Sequence, residues 1–322
     1  KALGWLKQYK NETNPFLLYL AYTAPHDPLM APAEDIAKYK GKYDEGYGPI
    51  RAARWKKQQA IGLFDAKTCP LSKPEHRKWK SLSAKERKLE AQRMEVYAAM
   101  IDRMDRNIGR VVDLLREQGK LENTLILFAS DNGASDQAPR PKQNDPKAPV
   151  GSLARWESLH QSWANVCDTP FRKYKSSSYE GGICTPMIAH WPKRIAKNKI
   201  CRTTGHFVDI LPTLAQLAGA QVPKTHNGQA IAPAAGTSLV PCFADKPLKR
   251  TAPLFFQWSK GKAAIDGKWK IVTHSTGKKL KWELYNLAAD RTETTDLASA
   301  NPKKVKKLAD AWKTWEANCA SK

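Results

Sequence analysis

Long apolar runs, paired cysteines, acidic side chains and repeats are what this chain has least of. Its longest nearly unbroken apolar stretch covers residues 16–24. That is about half of the roughly 20 residues a membrane helix needs, so no bilayer span is expected. Its six cysteines (Cys69, Cys167, Cys184, Cys201, Cys242 and Cys319) include no Cys-x-x-Cys pair, which argues against a structural zinc site or a thioredoxin-type motif. Six in 322 residues are too few for a disulfide scaffold, and they leave the redox compartment open. No internal repeat is visible. Asp and Glu total 31 against 54 Lys and Arg, a net charge of +23, which implies a polyanionic partner: nucleic acid, anionic glycan or a membrane surface. No helix-turn-helix, RNA-recognition or zinc-finger pattern accompanies the charge, so nucleic acid is the weaker partner. The chain opens at Lys1 with neither an initiator methionine nor a signal-peptide pattern, and a mature chain or a fragment is the expectation.

What is present suffices for a core. Hydrophobic residues make up 41% and aromatics 9%, with 11 Trp, which excludes wholesale disorder. At roughly 150 residues per domain, the length suggests two domains. After a short amphipathic segment at residues 2–10, the continuous apolar run at 16–22 reads as a strand buried on both faces. It ends in a loop stiffened by Pro25 and Pro28. Ser83 and Glu86 form a capping-box pattern that opens a long helix. Met94, Tyr97, Ile101, Met104, Ile108, Val111 and Leu115 give that helix one apolar stripe, and Gly119 ends it. Residues 124–129 read as a second buried strand, so strand, helix and strand make a crossover unit. A Pro- and Gln-rich loop at 134–162 follows, then a third strand at 186–191 and a helix at 206–218. From residue 246 the texture changes. Four short β-prone runs (254–258, 262–265, 269–273 and 280–285) precede a closing helix from Pro302, and Asp266-Gly267 reads as a type I′ hairpin between the second and third runs. The boundaries expected are 1–245 for a larger α/β lobe and 246–322 for a small antiparallel sheet with one helix.

In an open α/β sheet, ligands sit at the carboxyl ends of strands. The first predicted strand delivers His26, and the second delivers Asp131 and Asn132 beside Gly133. A carboxylate next to an amide oxygen offers hard donors suited to Ca²⁺ or Mg²⁺ rather than Zn²⁺, although Asp-Asn-Gly alone also suits an ordinary turn. Lys175 stands in a basic run before Glu180-Gly181-Gly182, and alone it reads as a solvated charge. Together, a hard metal, a cationic lysine and a histidine make a site for a tetrahedral oxyanion.

In this order and with these surroundings, Thr23-Ala24-Pro25-His26, Ser130-Asp131-Asn132-Gly133 and the Lys175 to Glu180-Gly181-Gly182 segment resemble the type I sulfatases. This is the arylsulfatase-like family of the alkaline phosphatase superfamily. The resemblance extends through Trp191-Pro192, the 206–219 helix and Leu284-Tyr285-Asn286-Leu287, and so covers essentially the whole chain. It implies an α/β fold with an alkaline-phosphatase-like mixed sheet sandwiched by helices, plus the small C-terminal sheet and helix. It implies a sulfuric ester hydrolase acting on an aryl or carbohydrate sulfate. Asp131 and Asn132 would ligate Ca²⁺, with Mg²⁺ the second choice. His26 and Lys175 would contact the sulfate, and either could stabilise or protonate the leaving ester oxygen. Relatives of this kind are commonly exported, so a periplasmic or secreted location is expected.

The departures are specific. The family's nucleophile is a formylglycine made in a Cys-x-Pro-Ser-Arg signature, and none occurs here. Cys69-Pro70-Leu71-Ser72-Lys73 lacks the spacing and the arginine. Cys184-Thr185-Pro186 continues with Met187 and Ile188, and sits where relatives carry no nucleophile. The paired N-terminal aspartates of the metal site are missing too, and one Asp with one Asn cannot satisfy a Ca²⁺ that takes about six to eight oxygens. A C-terminal part of a sulfatase, inactive alone, is the expectation. The alternatives are a phosphodiesterase or phosphonate hydrolase of the same superfamily, or a non-catalytic binder of sulfated glycans. Between residues 246 and 281 ten Lys/Arg face only Asp266. A strip including Lys268, Lys270, Lys278 and Lys279 could hold a sulfated polysaccharide as substrate or as ligand, or be an ordinary solvated basic face.

Overall fold

A computed structural model describes residues 1–138, 144–275 and 280–320. In chain order the helices are α1 (Ala2–Gln8), α2 (Ala33–Ala37), α3 (Tyr47–Ala60), α4 (Ala84–Glu117), α5 (His160–Cys167), α6 (Glu180–Ile183), α7 (Ile210–Leu217), α8 (Val240–Phe243) and α9 (Pro302–Ala320). The strands are β1 (Ile126–Ala129), β2 (Met187–His190), β3 (Thr225–His226), β4 (Gln229–Ala230), β5 (Leu254–Trp258), β6 (Gly261–Asp266), β7 (Trp269–Thr273) and β8 (Glu283–Asn286). They divide into two compact units. One comprises Lys1–Gly119, Ser130–Pro186 and Phe255–Lys322, and the other Lys120–Ala129 and Met187–Leu254.

In the first unit α4 is the organising element. Its start is fixed as the sequence predicts. The Ser83 hydroxyl accepts the Glu86 N–H at 3.2 Å and the Glu86 carboxylate accepts the Ser83 N–H at 2.8 Å, so two otherwise orphaned donors are satisfied. Its buried surface is wider than one stripe. Met94 packs with Tyr47, Leu159 and Trp163, while Val96 and Met100 pack on Leu29. Ile101, a member of the predicted stripe, is exposed. The difference arises because α4 is gripped from two sides, which a single 3.6-residue period does not encode. The helix α5 falls at the end of the segment expected to be loop, and it carries the fully buried Trp163, whose indole N–H donates to the Glu90 carbonyl at 2.9 Å.

The run at 16–22 is not a strand, and it is not buried on two faces. Leu18 and Leu20 are half-buried, whereas Leu17 and Tyr19 are 76% and 86% exposed. No strand pairs with this run among the described residues, and without a ladder partner an apolar segment has nothing to hold it in a sheet. The crossover unit expected from it is absent for the same reason.

The C-terminal sheet has the order β5-β6-β7-β8. Asp266 pairs with Trp269, so the two central turn residues are Gly267 and Lys268, one position later than expected. Of these only Gly267 has positive φ, at 56°, which excludes the type I′ turn and matches a turn with glycine at its first central position. Ala264, Ile271 and Leu284 on the sheet pack against Leu308, Ala309 and Trp312 of α9. This is the amphipathic closing helix that the spacing of Val305, Leu308, Trp312 and Trp315 predicts.

In the second unit β1 and β2 pair antiparallel, Ile126 opposite His190 and Ala129 opposite Met187. Pro212 falls in the first turn of α7, where its missing N–H would have no helical partner anyway. The buried Asp209 accepts from the backbone of His206 and Thr237, each at 2.8 Å, and takes the Arg250 guanidinium at 3.0 and 2.7 Å.

Candidate functional site

Residues 23–28 carry His26 between Pro25 and Pro28. The ring Nε2 lies 2.8 Å from Lys175 Nζ. An ammonium can only donate, so Nε2 is the acceptor and the ring proton sits on Nδ1. There it faces the Asp27 carbonyl at 2.9 Å and Asp27 Oδ1 at 2.8 Å. The Asp27 carboxylate is buried and its other oxygen accepts the Ser158 hydroxyl at 3.0 Å. The fold thus joins His26 and Lys175 across 149 positions, and the Asp27 backbone carbonyl takes the imidazole's Nδ1 proton.

The turn after β1 bears Asp131 and Asn132. Asp131 is exposed, and among the described residues no hydrogen bond or ion pair engages its carboxylate. Asn132 donates its amide to the Gly133 carbonyl at 2.9 Å, which leaves Oδ1 as an acceptor. Backbone bonds tie this turn to the lysine segment. Ala134 accepts the Lys175 N–H at 3.0 Å, and the Gly133 N–H donates to Gly182 at 3.0 Å. The approach at Gly133 is close enough that a Cβ there would stand 1.8 Å from the Gly181 carbonyl oxygen, so only glycine fits. Below the turn, both Asp168 oxygens accept the Ala134 N–H, at 3.0 and 3.1 Å. Burial pushes the Asp168 carboxyl up to about 8, against the opposing pull of the Ala134 N–H and Arg54. Asp136 is likewise raised by burial, with Lys175 pulling it down.

Asp131 and Asn132 offer two hard oxygens, and no group of three or more His, Cys, Asp and Glu among the described residues is arranged to hold a metal. The donors suit Ca²⁺ in kind; their number is short of its shell.

Glu180 and the two glycines after it are held from below. Lys270 Nζ sits between Glu180 Oε1 at 2.8 Å and Glu293 Oε1 at 2.7 Å, with all three side chains buried. Arg291 reaches Glu180 Oε2 at 2.9 Å, and the Glu180 N–H donates to Glu293 Oε2 at 2.7 Å. Burial would raise the Glu180 carboxyl, but Lys270 and Arg291 hold it below its usual range. Glu293 is pushed up to about 7 by burial. Arg172 completes the clamp, donating to the Glu293 carbonyl at 3.0 Å and stacking on Tyr179.

A family model described as Sulfatase matches residues 1–220, and one described as N-sulphoglucosamine sulphohydrolase, C-terminal, matches residues 173–315. The chain belongs to the sulfatase family. An arylsulfatase of Klebsiella aerogenes is 34% identical over 78% of this chain and 56% of its own length. An uncharacterised sulfatase of Schizosaccharomyces pombe is 33% identical over 98% of this chain and 60% of its own. The crystal structure of Ps i-CgsB in complex with k-i-k-neocarrahexaose superposes with a TM-score of 0.64 at 24% identity, covering 98% of this chain and 52% of that one. The fold is thus the one shared by solved sulfatases, of alkaline-phosphatase type. This sulfatase chain spans little more than half the length of the relatives it matches.

One expectation about the sulfatase chain is corrected. Lys270 is not part of a surface strip, because it is fully buried between carboxylates. Lys268 is exposed, and Lys278 and Lys279 lie outside the described residues. The reading of Cys184 and Cys69 as poor nucleophiles agrees with their surroundings: burial pushes both thiols up to about 12, and Cys184 Sγ takes an Arg291 N–H at 3.0 Å. The Lys270 clamp and Asp168 are the residues that sequence reasoning missed. No helix among the described residues is long and apolar enough to cross a membrane.

Proposed function

We propose that this chain is the sulfate-gripping part of a sulfuric ester hydrolase of the arylsulfatase kind. The observation that carries the reading is the 2.8 Å contact of Lys175 with His26, held beside the Asp131–Asn132 turn by the Lys175-to-Ala134 backbone bond. A sulfate ester entering there meets a cation and an imidazole. Lys175 offers a proton at Nζ, and His26, its tautomer fixed through Nδ1, accepts or returns one at Nε2. Either group can then protonate the leaving ester oxygen, a contribution of about 10²–10⁴-fold in rate. Asp131 and Asn132 would hold a Ca²⁺ together with oxygens from outside these residues, and the cation would neutralise charge on the sulfate.

The sequence contains no formylglycine signature, so the reading assigns the nucleophile, which supplies the oxygen that attacks sulfur, to residues beyond these 322. The chain alone is then inactive. Support comes from exposed apolar side chains, Leu17 and Tyr19 on the 16–22 run in one unit and Phe128 and Ile188 on β1 and β2 in the other, which suit further covering residues. The substrate class is a sulfated aryl compound or sulfated glycan, which the +23 net charge favours, and the neocarrahexaose complex of a structural neighbour accords with a glycan. Location is periplasmic or secreted, to be read by cell fractionation.

The test is sulfate release from 4-nitrophenyl sulfate with Ca²⁺, comparing this chain with a longer protein that joins it to a formylglycine-bearing segment. The reading expects turnover only from the longer protein and its loss with chelator. Hydrolysis of phosphonate esters without sulfate esters would move it to the sister chemistry. Sulfated-glycan binding without turnover would make it a binding relative.

A further inference from the structure

The second unit holds a cavity of about 370 Å³ lined by Trp191, Arg194, Leu217, Val240, Phe243 and Ala244, none of which the sulfate-ester reading uses. Its walls come from local structure. The Trp191 carbonyl accepts the Arg194 N–H at 2.9 Å and the Ile195 N–H at 2.8 Å, a turn that brings the Arg194 guanidinium over the indole, 4.7 Å from the ring centre. The Lys193 N–H donates to the Glu122 carbonyl at 3.0 Å and fastens that turn to the segment before β1. Leu217 closes α7, and Val240 and Phe243 belong to α8, so the remaining lining is apolar. Two polar groups at this cavity lack what their chemistry calls for. Trp191 is 8% exposed, and its indole N–H is buried with no acceptor among the described residues. A buried donor left alone costs free energy, and native folds rarely leave one. The exposed Arg194 rests on the Trp191 ring and pairs with no carboxylate among the described residues. No acidic residue lines the cavity, so its one charge is positive.

We propose that this cavity binds a small amphipathic anion, an aryl or alkyl body ending in a single sulfate or carboxylate group. One head oxygen accepts the Trp191 indole N–H, and the head also meets the Arg194 guanidinium in a charge-assisted contact. The body lies on Leu217, Val240 and Phe243 and takes their apolar surface out of water. The volume falls at the lower end of the roughly 300–1,000 Å³ usual for ligand sites, which suits one ring or a short chain. A sugar fits poorly, because its hydroxyls would face apolar walls without partners. A bare inorganic ion would leave those walls wet, and a neutral hydrocarbon would leave the indole N–H as it is. The site is one of binding, with no covalent step, and it stands whether or not the chain serves sulfate-ester hydrolysis.

The experiment follows the indole N–H itself, in proton–nitrogen correlation spectra of the chain labelled at tryptophan nitrogen. The Trp191 signal is assigned by its loss in Trp191→Phe. The titrants are hexyl sulfate and hexanoate, with hexanol and inorganic sulfate as controls. The expected result is a saturable shift of the Trp191 signal to higher frequency with hexyl sulfate, hexanoate or both, and the tighter of the two identifies the head group. Hexanol and inorganic sulfate should leave the signal in place at the same concentrations. Arg194→Gln, at an exposed position, should keep the other indole signals where they are and weaken binding about tenfold, as loss of a hydrogen bond to a charged group does. The proposal is overturned if neither anion moves the Trp191 signal, if hexanol or inorganic sulfate moves it as far, or if Arg194→Gln binds as tightly as the parent. A response seen in this chain but lost in a longer, formylglycine-bearing protein would give the cavity to a covering segment, and that overturns it as well.

Discussion

Replacing Lys270 by methionine should be among the most destabilising single changes in the molecule, although the residue belongs to a run of lysines. The ammonium is fully buried and lies 2.8 Å from Glu180 and 2.7 Å from Glu293. Burial penalises its charge, and the two carboxylates more than offset this, holding the ammonium above its usual range. Methionine fills similar volume but leaves two carboxylates with only Arg291 to balance them. Removing one partner of a buried ionic group costs about 3–5 kcal/mol, which at roughly 2–4 °C per kcal/mol corresponds to a loss of about 6–20 °C in melting temperature. The assay is thermal unfolding followed by the tryptophan fluorescence of the C-terminal sheet and α9, where Trp269, Trp312 and Trp315 report. Lys268→Met, two residues away and exposed, is the control and should stay within about 0.5 kcal/mol of the parent. Adding Glu293→Gln to Lys270→Met restores the net charge of the cluster and should recover about 0.5–3 kcal/mol relative to the sum of the single changes. Heparin retention should drop with Lys268→Met and not with a folded Lys270→Met protein. Equal, small effects of the two methionine substitutions would refute the buried-clamp reasoning.

Other consequences follow from the same geometry. Asp168 is raised to about 8 by burial, so between its unfolded value near 4 and its folded value the native state holds the extra proton, and stability falls as pH rises through that window. Asp168→Asn should flatten that slope in urea titrations at pH 5 and pH 8, and an unchanged slope would contradict the assignment. Gly133→Ala places a Cβ 1.8 Å from the Gly181 carbonyl oxygen; the turn must shift, and Ca²⁺ affinity of the longer enzyme should weaken with it, as read by calorimetry. Ser83→Ala removes one half of the capping box and should cost about 0.5–2 kcal/mol in denaturant unfolding, with no change in sulfate release.

The sequence was most legible where one period rules. The capping box and start of α4, strands β5 to β7 and the stripe of α9 all follow from local pattern. Phe16 to Tyr22 misled because a continuous apolar run states only that burial is wanted, not that a partner strand is present. The helix α5 was hidden by the Pro-rich stretch before it, although Trp163 became the centre of a core. One contact was legible in its side chains, since His26 and Lys175 were singled out and stand 2.8 Å apart. Its supports were not. Asp168 acts on a backbone N–H, and Lys270 meets Glu180 across 90 positions. Partnerships of that kind leave no spacing to read.

The central claim is that Lys175 and His26 grip the sulfate and serve the leaving oxygen. It is tested most directly by kcat/KM of the longer, formylglycine-bearing enzyme carrying Lys175→Ala or His26→Ala, measured on a sulfate ester with a poor alkyl leaving group and on 4-nitrophenyl sulfate. The account predicts that at least one of the two variants falls by about 10²-fold or more on the alkyl ester and much less on the nitrophenyl ester, whose leaving oxygen needs little protonation. Activity within a few-fold of the parent on both esters, for both variants, would contradict it.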